Sequence, residues 1–85
     1  MMKTDNFKEL LEENYTWPAE YPFKFIVPKD QIDLALALFP EQAVKQTPSK
    51  KGNYISVSCK KWMKSSEEVL ALYERAAKIN GLISL

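Results

Sequence analysis

The chain has 85 residues, 46% hydrophobic and 27% charged, which fits one small domain with a thin core rather than a disordered segment. Its formal net charge of +1 does not advertise a polyanionic partner, and no apolar run nears the roughly 20 residues that span a bilayer. There is no histidine and Cys59 is the single cysteine, which removes the usual neutral-pH general base, the Ser-His and Cys-His pairs, thiolate metal sites and intramolecular disulfides.

The opening residues Met1-Met2-Lys3-Thr4-Asp5-Asn6 lack the apolar stretch of a secretory signal, and with Cys59 alone and no disulfide to form, a reducing cytoplasm is the expected setting. Residues 1–20 read as an extension. Asn6 and Glu9 have capping-box spacing ahead of the apolar Phe7, Leu10 and Leu11, and the helix should end near Asn14, before Trp17-Pro18. A domain over residues 21–85 follows. Its first strand spans 21–27, with Phe23, Phe25 and Val27 on one face and Lys24 and Ile26 on the other. Asp30 is placed to cap a helix over 31–39 whose inward stripe is Ile32, Ala35, Leu36 and Phe39, leaving Leu34 and Leu38 as surplus apolar surface.

Pro40 stops that helix, and residues 41–47 form a second strand of weak pattern. The turn Pro48-Ser49-Lys50-Lys51-Gly52 leads into a third strand over 53–62. Alternation puts Ile55, Val57 and Cys59 on one face, and Tyr54, Ser56, Ser58, Lys60 and Trp62 on the other. Ser65 and Glu68 form a second capping box, launching a helix with apolar face Val69, Leu72, Tyr73, Ala76 and Ile79. Asn80-Gly81 ends it, and residues 82–85 make a short last strand.

Strand, helix, strand, strand, helix, strand is the order of an α+β, ferredoxin-like βαββαβ sandwich: an antiparallel sheet of order 4-1-3-2 with the helices on one side. The other side is open, and Lys24, Ile26, Tyr54, Ser56, Ser58, Lys60 and Trp62 are the expected ligand or partner face.

The segment Tyr21-Pro22-Phe23-Lys24-Phe25-Ile26-Val27, the hairpin Pro48 to Ser58, and Leu72-Tyr73-Glu74 resemble the YbeD-like family of small bacterial proteins of unknown function, over roughly residues 21–85. The chain departs from that pattern at Pro28, where a glycine is expected. The resemblance implies the ferredoxin-like fold and a similarity to ACT-type regulatory domains, which bind small effectors at subunit interfaces. It brings no catalytic residues. Function follows only by analogy.

A second candidate is an anion patch of Lys45, Lys50, Lys51, Lys60, Lys61 and Lys64, set against Glu41 alone over residues 41–64. Lysines on an edge hairpin also serve to block strand pairing. Lys51-Gly52 imitates the start of an RNA-recognition motif, but the positions that should be aromatic are Asn53 and Ile55. The loop Val27-Pro28-Lys29-Asp30 has neither the glycine nor the arginine of an acylphosphatase phosphate cradle. Ser56 and Ser58 lack a base to activate them, Cys59 reads as core, and Asp30 and Asp33 as helix-start residues.

The sequence therefore points to a non-enzymatic regulatory domain, with no cofactor, metal or membrane, that self-associates and contacts a small effector or a partner enzyme. The alternatives are a weak RNA or anion binder using the lysine hairpin, and a protein-only adaptor.

Overall fold

Strands β1 (Ala19–Pro28) and β3 (Tyr54–Met63) pair antiparallel along their whole lengths, in register from Ala19 opposite Met63 to Pro28 opposite Tyr54. The computed structural model describes residues 3–40 and 42–85, with side chains from residue 6. Strand β2 (Lys45–Pro48) adds to the far side of β3, and β4 (Ile83–Ser84) to the far side of β1. The order is β2-β3-β1-β4, counted from the hairpin edge. The expected 4-1-3-2 was counted from β4. Helices α1 (Lys3–Asn14), α2 (Ile32–Leu36) and α3 (Ser66–Ala77) complete an α+β architecture of four strands and three helices.

Period-two alternation decides what β1 buries. Tyr21, Phe23, Phe25 and Val27 are buried, while the even-numbered residues between them are exposed or half-exposed. Val57, Cys59 and Met63 of β3 join them under Val69, Leu72 and Ala76 of α3. Burying each such large side chain stabilises the fold by about 1.5–3 kcal/mol. Tyr73 of α3 sits among rings, with centroids 5.5 Å from Phe23 and 5.7 Å from Phe25.

The ladder also explains how strands tolerate proline. Lys24 lends its carbonyl to the N–H of Leu85, so the even-numbered residues of β1 direct their backbone groups towards the β4 side. Pro22 and Pro28 are both even-numbered. Their missing N–H groups fall where most of β1 has no partner strand. In β2, Ser49 bonds inward to Tyr54, so the N–H that Pro48 lacks would point outward.

Helix α3 begins as its capping box requires. The Glu68 N–H donates to Ser65 Oγ at 3.2 Å, and the Glu68 carboxylate accepts the Lys64 N–H at 3.0 Å. The other helix starts differ from expectation. Helix α1 already runs at Lys3, so Asn6 lies inside it and caps nothing. The chain enters a 3-10 turn over Lys29–Gln31 directly after Pro28, so Asp30 is within that turn and no side chain caps α2. Helix α2 ends after Leu36 rather than Phe39, and the turn beyond it directs both Leu38 and Phe39 into the core. Leu38 is thus not surplus surface. Strand β2 begins at Lys45, and Glu41, where it was expected to start, lies outside the described residues.

The extension does not fold over the open face of the sheet. Leu11 is buried, Phe7 meets Tyr73 edge-on at 5.4 Å, and Lys8 pairs with Glu67 at 2.8 Å, so α1 packs beside α3 in the helix layer. Strand β1 starts at Ala19, before the expected domain start at residue 21.

Gly52 and Gly81 both adopt positive φ, +75° and +80°. A Cβ on Gly52 would meet nothing, whereas one on Gly81 would sit 2.7 Å from Pro28 Cγ. Gly52→Ala should therefore cost about 1 kcal/mol for its backbone conformation alone. Gly81→Ala should cost at least about 2 kcal/mol, because overpacking adds to the same strain. Urea unfolding of the two variants measures the difference, and equal losses would mean that Pro28 yields freely.

Candidate functional site: the open face of the sheet

The β1–β3 register places the residues of the open face in cross-strand rows. Directly opposed residues share a face, so Thr47, Ser56, Ile26 and Ile83 form one row across all four strands. Lys45, Ser58 and Lys24 form the next, followed by Lys60 with Pro22 and then Trp62 with Glu20. Tyr54 lies opposite Pro28 at the other end. All seven residues expected on this face are on it. Lys24, Tyr54, Lys60 and Trp62 are exposed, and Ile26, Ser56 and Ser58 are half-buried. Thr47, Ile83, Pro22 and Glu20 belong to the same face: the registers of β2 and β4 hid Thr47 and Ile83, Glu20 precedes the expected start of β1, and Pro22 shares the parity of Lys24 and Ile26.

No helix covers this surface. Trp62 is 62% exposed, Ile83 53% and Tyr54 46%, a large apolar display for one face of a small sheet. Tyr54 and Trp62 stand eight strand residues apart, about 26 Å at the usual rise.

The six hairpin lysines do not form one patch. Lys50 and Lys51 are at the turn, while Lys61 and Lys64 are at the opposite end of β3, roughly 30 Å away. Lys61 lies opposite Tyr21, on the helix side of the sheet. Lys45 and Lys60 face the open side, where the register sets Lys45 and Lys24 on either side of Ser58 across the sheet and Lys60, two residues further along β3, completes a triad. Two strand spacings separate Lys45 from Lys24, about 10 Å. None of the three makes an ion pair among the described residues.

This triad shows what the net charge of +1 conceals. Glu20 is the single carboxylate in β1, β2, β3 or β4, and the other acidic residues among those described belong to the helices and the 3-10 turn. The strands hold four lysines against that one glutamate, while the helices and the 3-10 turn hold nine carboxylates against four cations, so the sheet is net positive and the helix layer net negative.

On the helix side, Phe7, Tyr21, Leu70, Tyr73, Ala77 and Leu85 border a largely apolar groove of about 700 Å³. The Tyr21 and Tyr73 hydroxyls approach to 3.3 Å. Cys59 is buried, and burial pushes its thiol up against a smaller downward pull from Lys61. It cannot serve as a ready nucleophile. Among the described residues no group of three His, Cys, Asp or Glu could hold a metal, and no helix is long and apolar enough to cross a membrane.

Burial, and then the hydrogen bond to Tyr21, hold the Tyr73 hydroxyl neutral well beyond the usual tyrosine value of 10.0. A folded-state pKa raised in this way contributes stability that is intact below pH 10 and is lost as pH rises towards the folded-state value. Urea unfolding at pH 8 and pH 11 should show a steeper alkaline loss in the parent than in Tyr73→Phe. At pH 8 that variant should lose only about 0.5–1.5 kcal/mol, for one hydrogen bond. Parallel losses in the two proteins would contradict the assignment.

Comparison with known proteins finds no significant match among curated proteins or among solved structures. A family model does match, over residues 12–84, which takes in the last three residues of α1, the whole sheet, α2 and α3. That span includes every residue of the open face, and the chain accordingly belongs to the family described as protein of unknown function DUF493.

Proposed function

We propose that this chain is a non-enzymatic regulatory domain of ferredoxin-like, ACT-like architecture, akin to the YbeD-like proteins, that acts by docking a partner enzyme on its open sheet face. One observation carries the reading: a sheet whose helices all pack on one side leaves Tyr54, Trp62 and Ile83 exposed on the other. A face of this kind, wide and without a cleft, suits a macromolecular surface better than a small molecule, which binds in concave sites. The setting is cytoplasmic.

A second reading has its own support. The groove beside Tyr73 has the volume and largely apolar lining of a small-molecule site, with the tyrosine hydroxyls, Ser84 and the Glu74 carboxylate as its polar groups. An effector seated there would contact α1, α3 and β4 and could modulate the docking face through β4, which supplies Ile83.

Photo-crosslinking in living cells tests the docking reading. Benzoylphenylalanine replacing Trp62 or Ile83 should give discrete protein adducts. The same group replacing Leu34, which is equally exposed but belongs to α2, should not. Adducts from position 34 alone would place the contact on the helix side and remove the open face from consideration.

A further inference from the structure

We infer that the partner of the open face is a protein with an acidic contact surface, its carboxylates placed over Lys24, Lys45 and Lys60. This inference rests on the docking reading above and names the chemistry of what docks. The three lysines surround Ser58 on adjacent strands with no carboxylate within their rows. No two of them are directly opposed, and the one carboxylate on the face, Glu20, lies in the row beyond Lys60, so the three present a positive surface that their own strands leave largely uncompensated. Among the described residues, every acidic residue but Glu20 lies outside the strands. An external anion compensates that charge. Ser56, Ser58 and Thr47 offer hydroxyl donors to carboxylate oxygens without adding charge.

The remaining chemistry selects among anions. A single-stranded nucleic acid is held by stacking of successive bases on aromatic side chains, yet those of this face stand at its two ends, about 26 Å apart. No arginine is present on the face to grip phosphate in bidentate fashion; the single arginine, Arg75, is in α3. A free phosphate or other small anion would leave Ile83 and Trp62 exposed. A second copy packed face to face would set two lysine triads against each other, which like-charge repulsion opposes. An acidic protein surface with apolar side chains meets both the lysines and the exposed Ile83 and Trp62.

The test carries the cross-linker at Ile83 in the full chain and varies the triad. Lys24→Glu, Lys45→Glu and Lys60→Glu should each lower adduct yield by roughly fivefold, the scale of one exposed ion pair, and the triple reversal should abolish it. Lys→Arg at all three positions should keep the adduct. A triple Lys→Gln variant, which removes charge without adding repulsion, decides the matter if the reversal unfolds the chain. The partner peptide recovered at the cross-link should be rich in Asp and Glu. Adducts unchanged by reversal would overturn the inference while leaving the docking reading intact. Adducts to RNA, or to a second copy of this chain, would also overturn it. Absence of adducts from both Ile83 and Trp62 would overturn both readings.

Discussion

Everything else in this molecule depends on the ten-residue antiparallel pairing of β1 with β3. It assigns each residue of both strands to a face, because a slip by one position would exchange the Phe23–Phe25–Val27 row for Pro22–Lys24–Ile26. The aromatic cluster around Tyr73 forms against one side of this pair, and the lysine triad assembles on the other. Strands β2 and β4 then attach as short edges whose register is inherited from it.

The parts of the fold that were legible in the sequence are those with strong local chemistry. Alternation in β1 and β3 was clear because buried and exposed residues contrast sharply, and the Ser65–Glu68 cap was clear because its two hydrogen bonds are made within a single turn. The start of α2 was not legible. Asp30 has the right identity for a cap, but Pro28 commits the chain to a 3-10 turn before Asp30 is reached. Leu38 looked superfluous only while the helix was assumed to continue; once the helix stops at Leu36, the same residue turns inward.

The candidate face was readable in the same measure. Parity within a strand named its seven residues, since a strand's own pattern is enough for that. Which of them become neighbours across strands depends on non-local registry, and a count of lysines along the hairpin grouped Lys50 and Lys51 with Lys61 and Lys64, which the fold holds at opposite ends of β3. The grouping of Lys24 with Lys45, 21 positions apart in the chain, appears only through their shared neighbour Ser58. The overall charge was equally silent, because segregation between layers cancels in the sum.

The outward-facing prolines have a further consequence. A sheet edge with its N–H groups free is a template on which another chain can lay a strand, and this sheet has two such edges. Pro48 interrupts the β2 edge, and Pro22 and Pro28 interrupt the stretches of β1 that the short β4 leaves unpaired, each removing a donor that an added strand would need. Lateral growth is therefore hindered at β2 and along the uncovered parts of β1, while the broad face stays available. A residue with an N–H at position 22 or 48 would restore that donor and with it a route to edge-to-edge aggregation, however little it disturbed the fold itself.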